Sequence, residues 1–138
     1  MKNTIKITAL LLIAVMSLVF LVSCETDSET QALWENATYS SDTTIGEGAK
    51  TVYVDIVCGE KSITITLKTD KDTLGDALFE HGIINDASFF DTCNAIHADY
   101  AKDGAFWMFK KNGTAMNYGV NDQTVSNGER YTLEYTKS

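Results

Sequence analysis

Lys50–Thr69 reads KTVYVDIVCGEKSITITLKT, and its period decides the fold. Val52, Val54 and Ile56 alternate with Thr51, Tyr53 and Asp55. After Cys58-Gly59-Glu60-Lys61, the residues Ile63, Ile65 and Leu67 alternate with Ser62, Thr64, Thr66 and Lys68. Successive side chains of a strand point to opposite faces, so each run has one apolar and one polar face. Two such runs around a short glycine turn predict a β-hairpin with one face buried.

Toward the C-terminus the period changes. Leu74, Ala77 and Leu78 fall on one helical face, Asp72 or Thr73 stands where a cap is needed, and Asp76 is placed for a capping-box-like contact. Gly82 is the natural stop. Asp70, Asp72 and Asp76 gather at the helix N-terminus, where negative charge is favourable and no catalysis is required. Residues 83 to about 104 read as irregular, with Ile83, Ile84, Phe89, Phe90 and Ile96 among polar residues. So long an irregular stretch inside a compact domain points to a functional loop. Phe106-Trp107-Met108-Phe109-Lys110-Lys111 reads as a strand, Asn112-Gly113 signals a type I′ turn, and a short strand over Ala115–Tyr118 is expected to return. Tyr131, Leu133 and Tyr135 alternate with Arg130, Thr132 and Glu134 in a last strand entered through Asn127-Gly128. The order is β-β-α-β-β-β. It predicts an α+β, β-grasp-like domain over residues 49–138, with one helix on one face of a mixed sheet.

Toward the N-terminus the composition is different. Lys2 and Lys6 precede an apolar run, Ile7 to Val22, broken only by Thr8 and Ser17. The run falls short of the roughly 20 residues that span a bilayer comfortably, and the pattern reads as an export signal. Leu21-Val22-Ser23-Cys24 has the form of a lipobox. Residues 1–23 are therefore expected to be a lipoprotein signal peptide. Cys24 becomes the lipidated N-terminus, on the extracytoplasmic face of a bacterial cell membrane. Acyl chains anchor it at about 0.8 kcal/mol per buried methylene. Residues 24–48, rich in acidic and small polar residues, are expected to be a tether, with Trp34 and Tyr39 as bulky groups that could dock on the domain.

The formal charge is -8, and removing the two signal-peptide lysines takes it to -10. Such a surface argues against nucleic acid, whose phosphates need Lys and Arg, and against a polybasic contact with anionic lipid. Cys58 and Cys93 remain beside Cys24. Outside the cytoplasm they could form a disulfide, stay as thiols or share a metal. There is no Gly-x-Ser-x-Gly, phosphate-binding glycine loop or Ser-x-x-Lys, so a binding domain is expected rather than an enzyme.

Several motifs recur in a familiar order: Thr73-Leu74-Gly75-Asp76-Ala77-Leu78, Phe106-Trp107 before Asn112-Gly113, Gly119-Val120-Asn121-Asp122, and Asn127-Gly128-Glu129-x-Tyr131-x-Leu133. Together they resemble the transcobalamin-like C-terminal domain family, the β-domain of vitamin B12 carriers, which also occurs in bacterial surface lipoproteins. The likeness covers about residues 50 to 136. It implies a corrinoid ligand clamped against a helical domain, which a helical partner protein would supply here, and hand-over to a membrane transporter. It also implies that Phe106, Trp107 and Asp122 face the ligand, while Gln123 stands where the family usually has Tyr.

A corrin is a broad, mostly apolar disc edged by amides, so its binder needs aromatic surface and a few hydrogen-bonding groups. Phe106, Trp107, Met108 and Phe109 could supply the first, and Asn112, Asn117, Asn121 and Gln123 the second. Alternate strand residues share a face. Either Trp107 and Phe109 or Phe106 and Met108 therefore fill the core, and the other pair is the candidate surface. A divalent metal is the alternative ligand, with Asp91, Cys93, His97 and Asp99 as its candidate set. A third reading is an envelope interaction module that uses its sheet edge or long loop. The plain alternative is that the four strand residues are core or sheet cover and the two histidines are ordinary helix and loop residues.

Overall fold

The hairpin read from residues 50–69 is present in the computed structural model, which describes residues 29–138. In chain order the elements are a helix over 29–35 (α1), β1 (Thr43–Ile45), β2 (Lys50–Cys58), β3 (Lys61–Thr69), α2 (Leu74–Glu80), β4 (Thr92–Cys93), β5 (Ile96–His97), α3 (Tyr100–Asp103), β6 (Ala105–Lys111), β7 (Thr114–Ala115), a 3-10 turn (Val120–Asp122) and β8 (Arg130–Lys137). The chain divides into two units, Met1–Ala32 and Leu33–Ser138. Of the first, only residues 29–32, the start of α1, are described. The expected signal peptide and Cys24 lie outside the described residues. Among the described residues no helix is long and apolar enough to cross a membrane.

The second unit is an α+β domain built on one six-stranded mixed sheet, ordered β1-β3-β2-β8-β6-β7. Its centre is a parallel pair, β2 and β8, with Val54 opposite Tyr131 and Ile56 opposite Leu133. Antiparallel β3 and β6 flank that pair. Val52, Val54, Ile56, Ile65 and Leu67 are wholly buried, and the residues between them are not. The alternation in the sequence is therefore the alternation of the sheet. α2 supplies Leu74, Ala77 and Leu78 to the same core. Thr73 is its cap, its hydroxyl accepting from the Asp76 N–H at 3.3 Å. Gly82, at a φ of 68°, ends it, with Gly82 N–H donating to Phe79 and Ile83 N–H to Leu78.

Three segments differ from expectation. The tether is docked chain from Leu33 onward. Trp34 is buried, its Nε1 donates to the Cys58 carbonyl at 3.1 Å, and the Lys61 ammonium lies 4.8 Å from its ring centroid. β1 then adds parallel to β3. Trp34 and Tyr39 dock as the sequence allows, and burying one large side chain is worth about 1.5–3 kcal/mol, enough to hold a polar segment that composition reads as a tether.

The irregular stretch contains a ribbon, β4–β5, and the short helix α3. At the tip of the ribbon Asn94 and Ala95 take left-handed backbone, with φ of 53° and 62°. Asn94 is held there by two bonds to the Tyr39 backbone, at 2.9 and 2.8 Å. The returning strand β7 is shorter than Ala115–Tyr118. Its last bond is from Met116 N–H to the Phe109 carbonyl, 2.9 Å, after which the chain leaves for the 3-10 turn.

Candidate functional site: a groove along the edge of β6

β6 resolves the choice of faces. Trp107 and Phe109 point into the core, 8% and 7% exposed, while Phe106 and Met108 are half-buried on the other face. The indole Nε1 of Trp107 donates to the Ile96 carbonyl at 3.2 Å, the hydrogen-bond partner that a buried indole needs.

Beside β6 lies a groove of about 650 Å³, lined by this strand, by residues 88–91, by Ala98 and Tyr100, and by Ala115, Met116 and residues 118–120. That is a usual size for a small-molecule site. Its walls are aromatic. Tyr100, 67% exposed, stands edge-on to Phe106 with ring centroids 6.4 Å apart. Tyr118 stands edge-on to Phe109 at 6.2 Å. Phe89 is 90% exposed. Its loop is turned by Asp86, whose Oδ1 accepts from the Ser88 and Phe89 N–H groups at 2.7 and 3.0 Å. Those two bonds also hold the Asp86 carboxyl below the usual carboxylate range.

The polar part of the groove is backbone. Ser138 N–H donates to the Gly104 carbonyl at 3.0 Å, which fixes the parity of the β6–β8 pairing. Phe106, Met108 and Lys110 turn their N–H and C=O groups toward β8. Ala105, Trp107 and Phe109 turn theirs the other way, toward the groove. β7 meets that edge only from Phe109 onward.

Of the residues expected to bind ligand, the structure brings Phe106 and Trp107 to the groove and leaves four outside its lining. Asn117, Asn121 and Asp122 are exposed. Gln123 is buried and occupied: its Oε1 accepts from the Tyr118 hydroxyl at 2.8 Å, and its Nε2 donates to the Thr124 carbonyl at 2.8 Å. It fixes the loop, and it lies outside the groove. Ser88, Phe89, Tyr100, Met116 and Tyr118 also line the groove, beyond the residues the sequence points to. The sequence signal was the aromatic pair Phe89-Phe90 inside a long polar stretch.

The candidate metal set is taken apart by the fold. Cys93 is wholly buried, and burial, with a further contribution from Cys58, pushes its thiol far above its usual range. A thiol held protonated is a poor metal ligand. The Asp99 carboxylate caps α3, accepting from Lys102 N–H at 3.0 Å. Asp91 and His97 remain together, Oδ1 to Nδ1 at 3.5 Å. Among the described residues no group of three or more His, Cys, Asp or Glu could hold a metal ion. Cys58 and Cys93 are both buried thiols in place of the candidate disulfide.

One solved structure, from Ruminococcus gnavus ATCC 29149, shares this fold. The model of a family described as a domain of unknown function (DUF4430) matches residues 72–137, from just before α2 to the end of β8. No curated protein matches the chain. The crystal structure of haptocorrin in complex with Cbi aligns with a TM-score of 0.49 at 12% identity, over 67% of this chain and 26% of that one. The chain thus spans about a quarter of haptocorrin's length. A proposed metal binding protein from Ruminococcus gnavus ATCC 29149 aligns with a TM-score of 0.60 at 23% identity, over 65% of this chain and 99% of that one. At that identity the likeness is one of fold, and it takes in nearly the whole of the other protein.

Proposed function

We propose that this chain is a lipid-anchored capture module. Cys24 holds it at the outer face of a bacterial membrane, and the groove beside β6 takes a bulky, largely apolar ligand of corrinoid type. The observation that carries the reading is the groove itself. Exposed aromatic side chains are costly to leave in water, and here Phe89, Tyr100 and Tyr118 gather around one cleft. A disc-shaped apolar ligand would cover them, and its amides would meet the free backbone of β6. The ordered motifs shared with the vitamin B12 carriers support the corrinoid class. The lipobox and export signal support the location. A membrane transporter, or a helical protein that closes the groove, is the expected partner.

The test is calorimetric titration of the full chain with cobinamide and cyanocobalamin. Micromolar binding that Phe106→Ala weakens by about tenfold, the loss of one good aromatic contact, is the expected result. No heat with either corrinoid would remove that ligand class. The Ruminococcus gnavus neighbour is described as a proposed metal binding protein. A divalent-metal series therefore belongs in the same experiment. Stabilisation by metal alone, lost in His97→Ala, would move the site to Asp91 and His97.

A further inference from the structure

The gap in the edge of β6 has definite ends. At one, Ala105 N–H donates to the Asp99 carbonyl at 3.4 Å; at the other, the Phe109 carbonyl accepts from Met116 N–H at 2.9 Å. Between them the Ala105 carbonyl, both backbone groups of Trp107 and the Phe109 N–H face the groove. Among the described residues no backbone hydrogen bond closes them. An unpaired strand edge is a template for another extended chain. Ala105 to Phe109 covers roughly 13 Å at about 3.3 Å per residue, so the gap has room for about four residues. α3 and β7 close its ends, which rules out the long edge of a second sheet.

The charge in the groove is equally definite. Asp91 is the one charged residue in its lining. Its Oδ1 accepts from Asn85 Nδ2 at 2.8 Å and from the Thr92 hydroxyl at 2.9 Å. Its Oδ2 has no hydrogen-bond partner among the described residues. The Thr92 hydroxyl, above all, holds this carboxyl below the usual range. An apolar cleft with a free strand edge and one anchored carboxylate complements a short chain that carries amides, apolar side chains and one cation.

We propose that the groove binds a short extended peptide, which pairs its backbone with Trp107 and sets a cationic group on Asp91. The proposal rests on the groove being the binding site and not on the corrinoid. The net charge of -8 favours the same cationic partner.

The probe is an N-acetylated tetrapeptide amide, Val-Lys-Val-Val, titrated into the full chain in mild detergent while amide hydrogen exchange is followed. Saturable binding is expected, with slowed exchange at the Trp107 N–H. Methylating the backbone nitrogens of the peptide, or replacing its lysine with glutamate, is each expected to weaken binding at least about tenfold, the loss of one hydrogen bond or ion pair. Asp91→Asn is expected to weaken the lysine peptide and leave a norleucine analogue unchanged. An N-methylated peptide that binds as tightly, or binding that leaves Trp107 exchange unaltered, overturns strand pairing. Cobinamide binding with no peptide binding overturns the peptide and leaves the groove standing. Peptide binding that cobinamide displaces supports both. Silence from both ligands overturns both.

Discussion

The indole Nε1 of Trp107 donates to the Ile96 carbonyl at 3.2 Å, which ties β6 to the segment that walls the groove. The same ring stands edge-on to Tyr135 of β8, centroids 5.6 Å apart. Trp107 therefore organises the groove from beneath it.

Trp107→Ala should lose about 3–5 kcal/mol of stability, as expected for a large buried aromatic. Trp107→Phe keeps most of the packing but orphans the Ile96 carbonyl, and should cost about 1–3 kcal/mol more than packing alone explains. Urea unfolding of both variants is the measurement. Losses within about 0.5 kcal/mol would mean that the ring acts as surface.

At Gly75 the backbone of α2 lies close against the chain at Ala87. A Cβ there would stand 2.4 Å from the Ala87 carbonyl oxygen, a backbone atom that cannot swing away. Gly75→Ala should therefore destabilise by about 1–3 kcal/mol, even though alanine favours helix. At Gly82 the space is open and only its φ of 68° resists, so Gly82→Ala should cost about 1 kcal/mol. Thermal melts of the two variants compare crowding with backbone strain. Gly75→Ala as stable as the parent would place α2 further from Ala87.

Acid should weaken the fold through particular carboxylates. Burial pushes the Asp55 carboxyl up, but hydrogen bonds from Arg130 and Thr64 and the Arg130 charge outweigh it and hold the group below its usual range. The Arg130 Nε and Nη2 contacts to Asp55 are 2.7 and 3.0 Å. Glu129 is lowered as well, first by the Tyr131 hydroxyl. A carboxyl depressed in the fold contributes stability that is complete above its unfolded value, about 4, and is lost as pH falls through the folded value. Asp55→Asn should therefore be less stable than the parent near neutral pH, and the gap should close as the pH drops below about 4. Urea midpoints across that range test it. A gap constant with pH would mean that the Asp55 charge does not matter.

Cys93 should be inert while the protein is folded. The attacking species is the thiolate, and burial first, then Cys58, suppresses it here. A thiol reagent near neutral pH should label Cys93 only after denaturant is added. Rapid labelling of the native protein would show that the ribbon β4–β5 opens readily.

Sequence by itself determined the hairpin, α2, the strand that became β6 and the last strand, because each has a period of its own that local geometry enforces. Val52, Val54 and Ile56 must share a face wherever the strand lies, and Gly82 must end the helix whatever packs on it. Sequence also confined the β6 problem to two faces without choosing between them. Only the tertiary structure chose, because the choice depends on which side α2 and residues 83–96 cover. The same holds for the site. Phe89, Tyr100 and Tyr118 are far apart in the chain and have no shared period, so nothing local joins them. The sequence marks Trp34 as a group that could dock, but only the fold supplies the Cys58 carbonyl that receives its N–H. Cys93, Asp99 and Gln123 looked available because each carries a ligating or hydrogen-bonding group. The fold had already assigned those groups to a core, a helix cap and a loop, since a polar group near the interior is satisfied by its closest partner.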